Sequence, residues 1–254
     1  MPHKSHNRRR SHLFATLTFA AIGCLAVATF SAPPSTAPAT QPAEGDDAAS
    51  NLPAGYAGKP FADERYKGGA QKIPGTVMCA YYDTGGEGVA YHDTTPKNLG
   101  SGGLNPLNGD YLNEFRHTEG VDTSYTKYSI GADNSAYNIV TPPDKLLYVG
   151  WTEPGEWFNL TVDVADAGVY TVDILYTSNR GGEISFDING KAGDPIKIAT
   201  TNNPADPVAW RQWHHWNVAK EAAELKLPKG KSLLTLHIVT GGNMNLATLE
   251  FKRK

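Results

Sequence analysis

The chain has 254 residues and a formal net charge of −3 at pH 7, and 19% of its residues are charged. That balance gives no reason to expect a nucleic acid or an anionic membrane as a partner. Hydrophobic residues make up 40% of the chain, and 26 glycines and 17 prolines accompany them. Long stretches rich in Ala, Leu, Glu and Lys are absent, so the composition predicts an all-β domain with many turns.

The N-terminus has the pattern of an export signal. Basic residues, among them Lys4 and Arg10, precede the apolar run LFATLTFAAIGCLAVATF, and Ala26 and Ala28 suit a cleavage site. We therefore predict a signal peptide over residues 1–31 and a secreted, periplasmic or cell-surface protein. A weak lipoprotein-like motif ends at Cys24, but the apolar run continues past it, which argues against lipidation.

Residues 32–72 are rich in Pro, Ala, Gly and Asp and show little apolar periodicity, so we predict a disordered linker there, with a short ordered collar near Tyr66. The folded module is predicted to span residues 73–254. Cys79 would be the one cysteine left after signal cleavage, which excludes an intrachain disulfide. Its apolar neighbours indicate a small core residue.

Short runs in which apolar and polar residues alternate recur between turn signals along the module. The hairpin signal Asn189-Gly190 is one such turn. We predict an antiparallel jelly-roll β-sandwich, with AAELKLPKGK as a turn-bearing connection. The predicted strands are TVMCAYY, GVAYH, YNIV, LLYVGW, EWFNLTVDV, GVYTVDILYTS, GEISFDING, PIKIAT, SLLTLHIV and LATLEF.

Two tryptophans are associated with the polar side of one predicted strand. From Phe158 the apolar residues alternate onto one face, which leaves Trp157 and Asn159 on the other face. Trp151 lies six residues before Trp157. An exposed indole suits a pyranose ring, because the sugar's axial C–H bonds stack on its electron-rich face.

A second aromatic cluster is AWRQWHHWNV. Trp210 follows a turn-rich loop and is predicted to be exposed, whereas Trp213 and Trp216 are predicted to enter the core. Amide groups that could bond to sugar hydroxyls are those of Asn159, Asn203, Gln212 and Asn245.

The carboxylates of the sequence offer a catalytic alternative to binding. Glu153 or Glu156 could pair with a carboxylate elsewhere, such as Glu87, Glu119 or Asp122, as in a glycosidase or lyase. Nothing in the spacing requires this, so no catalytic residue is predicted. His214 and His215 would point to opposite faces of a strand, which disfavours a shared metal.

The chain resembles carbohydrate-binding module family 6 over about residues 73–251. The opening IPGTVMCAYYDTGGEGVAYHDTTPKNLG, the central VGWTEPGEWFNLTVDVADAGVYTVDI and the final GGNMNLATLEF resemble the family's motifs in the family's order. The most specific motif is V-G-[WY]-x-x-x-G-[ED]-W. The resemblance implies a jelly-roll sandwich that binds polysaccharide without cleaving it.

By the same resemblance, an edge cleft would hold a sugar between Trp151 and Trp210, with Asn245 as the anchoring amide. Some family members have a second site on the concave sheet face, which here would use Trp157. The family's structural calcium is expected to be absent, because the positions of its carboxylate ligands are Met78, Ala80 and Ala247. A further carboxylate that often contacts ligand is replaced by Ser124.

The leading prediction is thus a non-catalytic, monomeric binder of a polysaccharide or oligosaccharide, which either is a free surface or periplasmic binder or acts beside a separately encoded glycoside hydrolase. Two alternatives stay open at this point. One is a small jelly-roll hydrolase or lyase. The other is an envelope structural or interaction module, in which the tryptophans would be buried.

Overall fold

A computed structural model describes residues 50–254, which belong to one folded unit. The predicted signal peptide and residues 32–49 of the predicted linker lie outside the described residues. The strands of the described part are Gln71–Ile73 (β1), Gly75–Met78 (β2), Tyr91–His92 (β3), Thr123–Tyr125 (β4), Leu147–Val149 (β5), Trp157–Val164 (β6), Gly168–Ser178 (β7), Gly182–Ile188 (β8), Ile196–Ile198 (β9), Asn217–Leu227 (β10), Gly230–Thr240 (β11) and Met244–Arg253 (β12).

The strands form two sheets that face each other as a sandwich. The first sheet has the order β1-β6-β11-β8-β9, and β3 also pairs with β6. The second has the order β10-β7-β12-β5-β4, and β2 also pairs with β12. Among these pairs only β1 and β6 run parallel. The predicted all-β sandwich is confirmed.

The core follows from the period-two alternation of the long strands. Leu160 of β6 and Leu234 of β11 come from the first sheet, and Ile174 of β7 and Leu249 of β12 come from the second; all four are fully buried. The Cys79 thiol is also fully buried, and burial raises its pKa, as expected of a core residue and not of a nucleophile.

Two predicted segments differ in the structure. YNIV forms no strand, and the predicted connection AAELKLPKGK has its turn at Pro228-Lys229, whereas residues 222–227 belong to β10, which runs for 11 residues along the edge of the second sheet. Its Ala, Glu and Lys residues have low strand propensity. However, Leu225 and Leu227 alternate into the core, and pairing with β7 supplies the missing backbone bonds.

Residues 50–72, the end of the predicted linker, belong to the folded unit. The N-terminal segment, residues 50–61, lies on the first sheet: the Asn51 N–H donates to the Lys231 carbonyl at 2.8 Å. Tyr56 Oη donates to Asp83 Oδ2 at 2.6 Å, and the same oxygen accepts a bond from Thr161 Oγ1. Thr161, on the polar side of β6, is therefore only 2% exposed.

Phe61, at the end of this segment, packs in an aromatic cluster that is separate from the tryptophan-rich segment. It is 6% exposed and contacts the rings of Tyr66, Tyr81 and Phe115. The composition of the segment resembles a linker, but its few large side chains fill surfaces that only the folded module provides.

No helix among residues 50–254 is long and apolar enough to cross a membrane.

We expect a chain that begins at residue 73 to be less stable than residues 50–254. Losing a buried phenylalanine alone costs about 3–5 kcal/mol of the free energy of unfolding, and the truncation also removes most of β1. Urea denaturation of the two chains, followed by tryptophan fluorescence, measures the difference.

The matched variants are Phe61→Ala and, as a control, Leu107→Ala, whose side chain is 59% exposed. Phe61→Ala should reproduce most of the loss, and Leu107→Ala should have little effect. Equal denaturation midpoints for the two chain lengths would show that residues 50–72 add no stability and that the stable module begins at residue 73.

Candidate functional site

Loops from both sheets surround a cavity of about 460 Å³. They are the connections β3–β4, β5–β6, β7–β8 and β11–β12. Carboxylates, hydroxyls, an amide and a guanidinium share the cavity with one indole. The lining residues are Thr94, Thr95, Leu99, Leu104, Asp122, Trp151, Glu153, Glu156, Arg180, Gly241 and Asn243.

Trp151 follows β5 and turns the chain into the cavity. Its φ of 48° is left-handed, which is uncommon for a bulky residue and costs about 1–2 kcal/mol. Hydrogen bonds on both sides hold this turn: the Gly150 N–H donates to the Asp122 carbonyl at 2.9 Å, and the Thr152 N–H donates to the Met244 carbonyl at 3.4 Å.

The Trp151 ring also packs closely on the backbone of the β3–β4 loop. A Cβ atom added to Gly100 would lie 2.9 Å from Cζ3 of the indole. The ring is nevertheless only half-buried and lines the cavity. Its position is thus fixed by packing while part of its surface stays available to a ligand.

Asp122 is an acidic group of this cavity that is almost fully buried. The residue is 6% exposed, and its Oδ1 accepts a bond from the Leu99 N–H. Burial, followed by the negative charges of Asp93 and Glu156, raises the pKa of its carboxyl to about 7. A carboxyl in this state can donate or accept a hydrogen bond near neutral pH.

Glu156 connects the loops that form the cavity. Its Oε1 accepts bonds from the N–H and Oγ1 of Thr94 at 3.2 and 2.7 Å, and its Oε2 accepts one from the Glu153 N–H at 2.8 Å. Burial raises its pKa although these bonds oppose the shift. Both oxygens are engaged, so Glu156 positions the loops, whereas Glu153 is exposed.

Asn245, the predicted anchoring amide, lies in the interior of the protein. Asn245 is 0% exposed, and its Nδ2 donates to Thr177 Oγ1 at 2.9 Å and to His214 Nδ1 at 3.0 Å. A sugar therefore does not reach this amide in the structure. The asparagine that lines the cavity is Asn243, two residues earlier.

Trp210 lies in a short 3-10 turn and is 58% exposed, as predicted. Its neighbour Arg211 binds both oxygens of Asp206, at 2.7 and 2.9 Å, and holds the pKa of that carboxyl well below its usual range. The loop is thus well anchored. Trp210 does not line the cavity, so the structure does not bring it together with Trp151 there.

Trp157 begins β6, where its register partners are His92 on β3 and His237 on β11. The indole is half-buried and tilted against the His237 ring, with 6.5 Å between ring centroids. Farther along this face, Asn159 and Thr161 are covered. Trp216 is fully buried, as predicted, while Trp213 is half-buried.

The calcium site implied by the family resemblance does not fit the residues present. Ala80 packs among Phe61, Phe115 and Leu147, and Ala247 packs with Tyr148 and Trp216. The Met78 backbone is instead bound by the Gln71 amide, at 2.7 and 3.1 Å. Residues 50–254 contain no group of three or more His, Cys, Asp or Glu side chains that could hold a metal ion.

The model of one family, Carbohydrate binding module (family 6), matches residues 123–253. No curated protein matches the chain. Among solved structures, CsCBM6-3 from Clostridium stercorarium in complex with cellobiose is similar, with 11% identity, 74% of this chain and 99% of that chain covered, and a TM-score of 0.44.

A family 35 carbohydrate-binding module from Clostridium thermocellum is also similar, with 17% identity, 52% of this chain and 88% of that chain covered, and a TM-score of 0.36. A further family 6 module is 10% identical, with 73% of this chain and 98% of that chain covered and a TM-score of 0.42.

A two-sheet sandwich with a tryptophan in an open cavity among its loops has the features of a carbohydrate-binding module. The chain belongs to carbohydrate-binding module family 6, because that family's model matches more than half of its residues. Its function is accordingly to bind carbohydrate, and modules of this kind are generally non-catalytic.

Several cavity residues were not predicted as binding residues. Asp122 was considered only as an acid for catalysis, and Arg180 and Asn243 were not singled out. All three lie in connections, where no periodic pattern marks a side chain's direction. A polar residue beside a strand end is the one signal that could have identified them.

We expect Asp122 to make stability depend on pH. A carboxyl with a pKa near 3.9 when unfolded and about 7 when folded binds more protons in the folded state between these values. Stability contributed by this group is therefore lost as pH rises from about 4 to 7. Because the two pKa values differ by about 3 units, Asp122→Asn should gain up to about 4 kcal/mol over wild type at pH 8 and little at pH 4.

Thermal unfolding of both proteins across this pH range tests the expectation. Glu153→Gln is the control, because that carboxylate borders the same cavity but is exposed. A difference between Asp122→Asn and wild type that does not change with pH would contradict the raised pKa.

Proposed function

We propose that the chain is an exported module that binds a polysaccharide or oligosaccharide in the cavity around Trp151. The observation that carries the proposal is a half-buried indole, held in position by Gly100 and two backbone hydrogen bonds, beside polar groups in an open cavity. The C–H face of a pyranose ring stacks on the indole. Hydroxyl groups bond to Asp122, Asn243 and Arg180.

Preorganisation favours this site over a ring on a mobile loop. Because the Trp151 side chain is already ordered, binding does not require its rotamers to be frozen. Ordering the glycan still opposes association, so we expect modest affinity for short oligosaccharides. Longer chains gain affinity if they also contact Leu99 and Leu104, which are exposed at the cavity rim.

Trp210 and Trp157 are proposed as accessory platforms. Trp210 has the larger exposed ring, on an anchored loop outside the cavity. Trp157 offers part of one ring on the polar side of the first sheet, but the N-terminal segment covers the residues farther along that face. Each therefore contributes less to binding than Trp151.

Binding without catalysis is favoured by the contacts of Glu156. Its two oxygens already accept three hydrogen bonds, which suits a positioning group better than an acid or a nucleophile. The envelope-module alternative requires buried tryptophans. It is disfavoured because Trp210 is exposed and Trp151 and Trp157 are half-buried.

The location and partner follow from the ligand and the N-terminus. Basic residues followed by an apolar run indicate export to the periplasm, cell surface or medium, where polysaccharides occur. We propose that the module acts there as a monomer, beside a glycoside hydrolase.

Affinity electrophoresis of residues 50–254 through gels containing xylan, β-glucan, mannan or agarose tests the proposal. At least one polysaccharide should retard the wild-type protein. Trp151→Ala should weaken that interaction at least about tenfold, or about 1.4 kcal/mol, because the stacking surface is lost.

Trp210→Ala and Trp157→Ala are matched controls that remove an indole from outside the cavity, and we expect smaller effects from both. Circular dichroism verifies that each variant is folded. If Trp151→Ala binds like wild type while one of the other variants loses binding, the cavity is not the principal site.

We also infer that the module does not use the family's structural calcium. Apolar packing at Ala80 and Ala247 supports this inference, as does the bonding of the Met78 backbone to Gln71. The melting temperature should be the same in EDTA and in excess CaCl₂, because no folded-state ion is present to be lost. A lower melting temperature in EDTA would contradict the inference.

A further inference from the structure

The charges of the cavity indicate more about its ligand than the aromatic ring does. Three carboxyl groups line it, those of Asp122, Glu153 and Glu156, against the single guanidinium of Arg180. Asp93 adds a further negative charge that acts on both Asp122 and Glu156. His92 also interacts electrostatically with Glu156, but it is exposed and already bonded to Glu87.

The buried carboxyl groups of this set differ in how fully they are satisfied. Glu156 receives three hydrogen bonds on its two oxygens. Asp122 receives one, from the Leu99 N–H to Oδ1, and no described residue donates to its Oδ2. Oδ2 is not among the fully covered side-chain atoms that lack a partner, so it is open to the cavity, where a ligand that supplies a donor or a cation can bind it.

Arg180 does not balance this charge. It lies in the β7–β8 turn and is exposed, so solvent and salt screen its interactions. Asp122 is 6% exposed and is screened much less. The buried part of the cavity therefore holds only acidic groups, and the single guanidinium among the lining residues lies at its solvent-exposed edge.

We propose that the ligand is an amino sugar with a free, protonated amine, such as a glucosamine unit, whose ammonium group binds Asp122 while the ring stacks on Trp151. The proposal rests on the proposed function and deepens it. The ammonium donates to Oδ2 of Asp122 and offsets the charges of Asp93 and Glu156. The cavity of about 460 Å³ lies in the range of small-molecule sites.

Ionisation of Asp122 provides a second signature. Its carboxyl has a pKa of about 7 in the ligand-free protein, so it is largely protonated at pH 6. A bound ammonium favours the carboxylate, and the proton is released to the buffer. A neutral sugar in the same cavity does not require that release.

Isothermal titration calorimetry of residues 50–254 at pH 6 compares four oligosaccharides of equal length: fully deacetylated glucosamine, N-acetylglucosamine, cellodextrin and galacturonate. We expect the glucosamine oligomer to bind at least tenfold more tightly than its N-acetylated counterpart. Repeating the titration in buffers of different ionisation enthalpy should show proton release with wild type and less with Asp122→Asn.

Asp122→Asn keeps the shape of the side chain and should reduce the preference for the free amine to near unity. Glu153→Gln removes an exposed carboxylate of the same cavity and should reduce the preference much less. Thermal unfolding confirms that both variants are folded.

The other outcomes separate this inference from the proposed function. If neutral or acetylated oligomers bind as tightly as glucosamine and lose binding in Trp151→Ala, the function stands and the amine inference is overturned. Tightest binding of galacturonate would show that Arg180 selects the ligand and would also overturn it. Wild-type protein that binds none of the four oligomers, nor any polysaccharide gel, would overturn both.

Discussion

A buried carboxylate, that of Glu156, connects the loops on which the binding cavity depends. Thr94 of the β3–β4 loop and Glu153 of the β5–β6 loop donate to it. The Glu156 backbone carbonyl also accepts a bond from Ile238 of β11 at 2.9 Å, which anchors the loop to the first sheet. The cavity is therefore a fixed feature of the sandwich, and the position of Trp151 follows from it.

Much of the fold was predictable, because most of the long strands alternate. β6, β7 and β11 place apolar residues inward at every second position, and β12 does so on either side of an irregularity between Leu246 and Thr248. β10 was not recognised, since its Ala, Glu and Lys residues have low strand propensity and its pairing with β7 defines it. The N-terminal segment was missed for a related reason: Phe61 and Tyr56 are ordered by distant residues.

The site was only partly predictable, and tertiary contacts explain the rest. The motif around Trp151 identifies the indole that lines the cavity. The final motif, GGNMNLATLEF, indicates Asn245, but this amide is buried and bonds to Thr177 and His214. Asp122 acquires its properties from burial and from Asp93 and Glu156, which lie far from it in sequence. Such an environment has no signature in a local pattern.

The central claim is that carbohydrate binds at Trp151, and the five indole N–H signals in a ¹H–¹⁵N NMR spectrum test it directly. Each signal is assigned from the corresponding tryptophan variant, and an oligosaccharide of the retained polysaccharide is then titrated. If carbohydrate binds at Trp151, the Trp151 signal shifts most and the signal of the fully buried Trp216 changes little. A saturable shift confined to Trp157 or Trp210, with Trp151 unchanged, would contradict it.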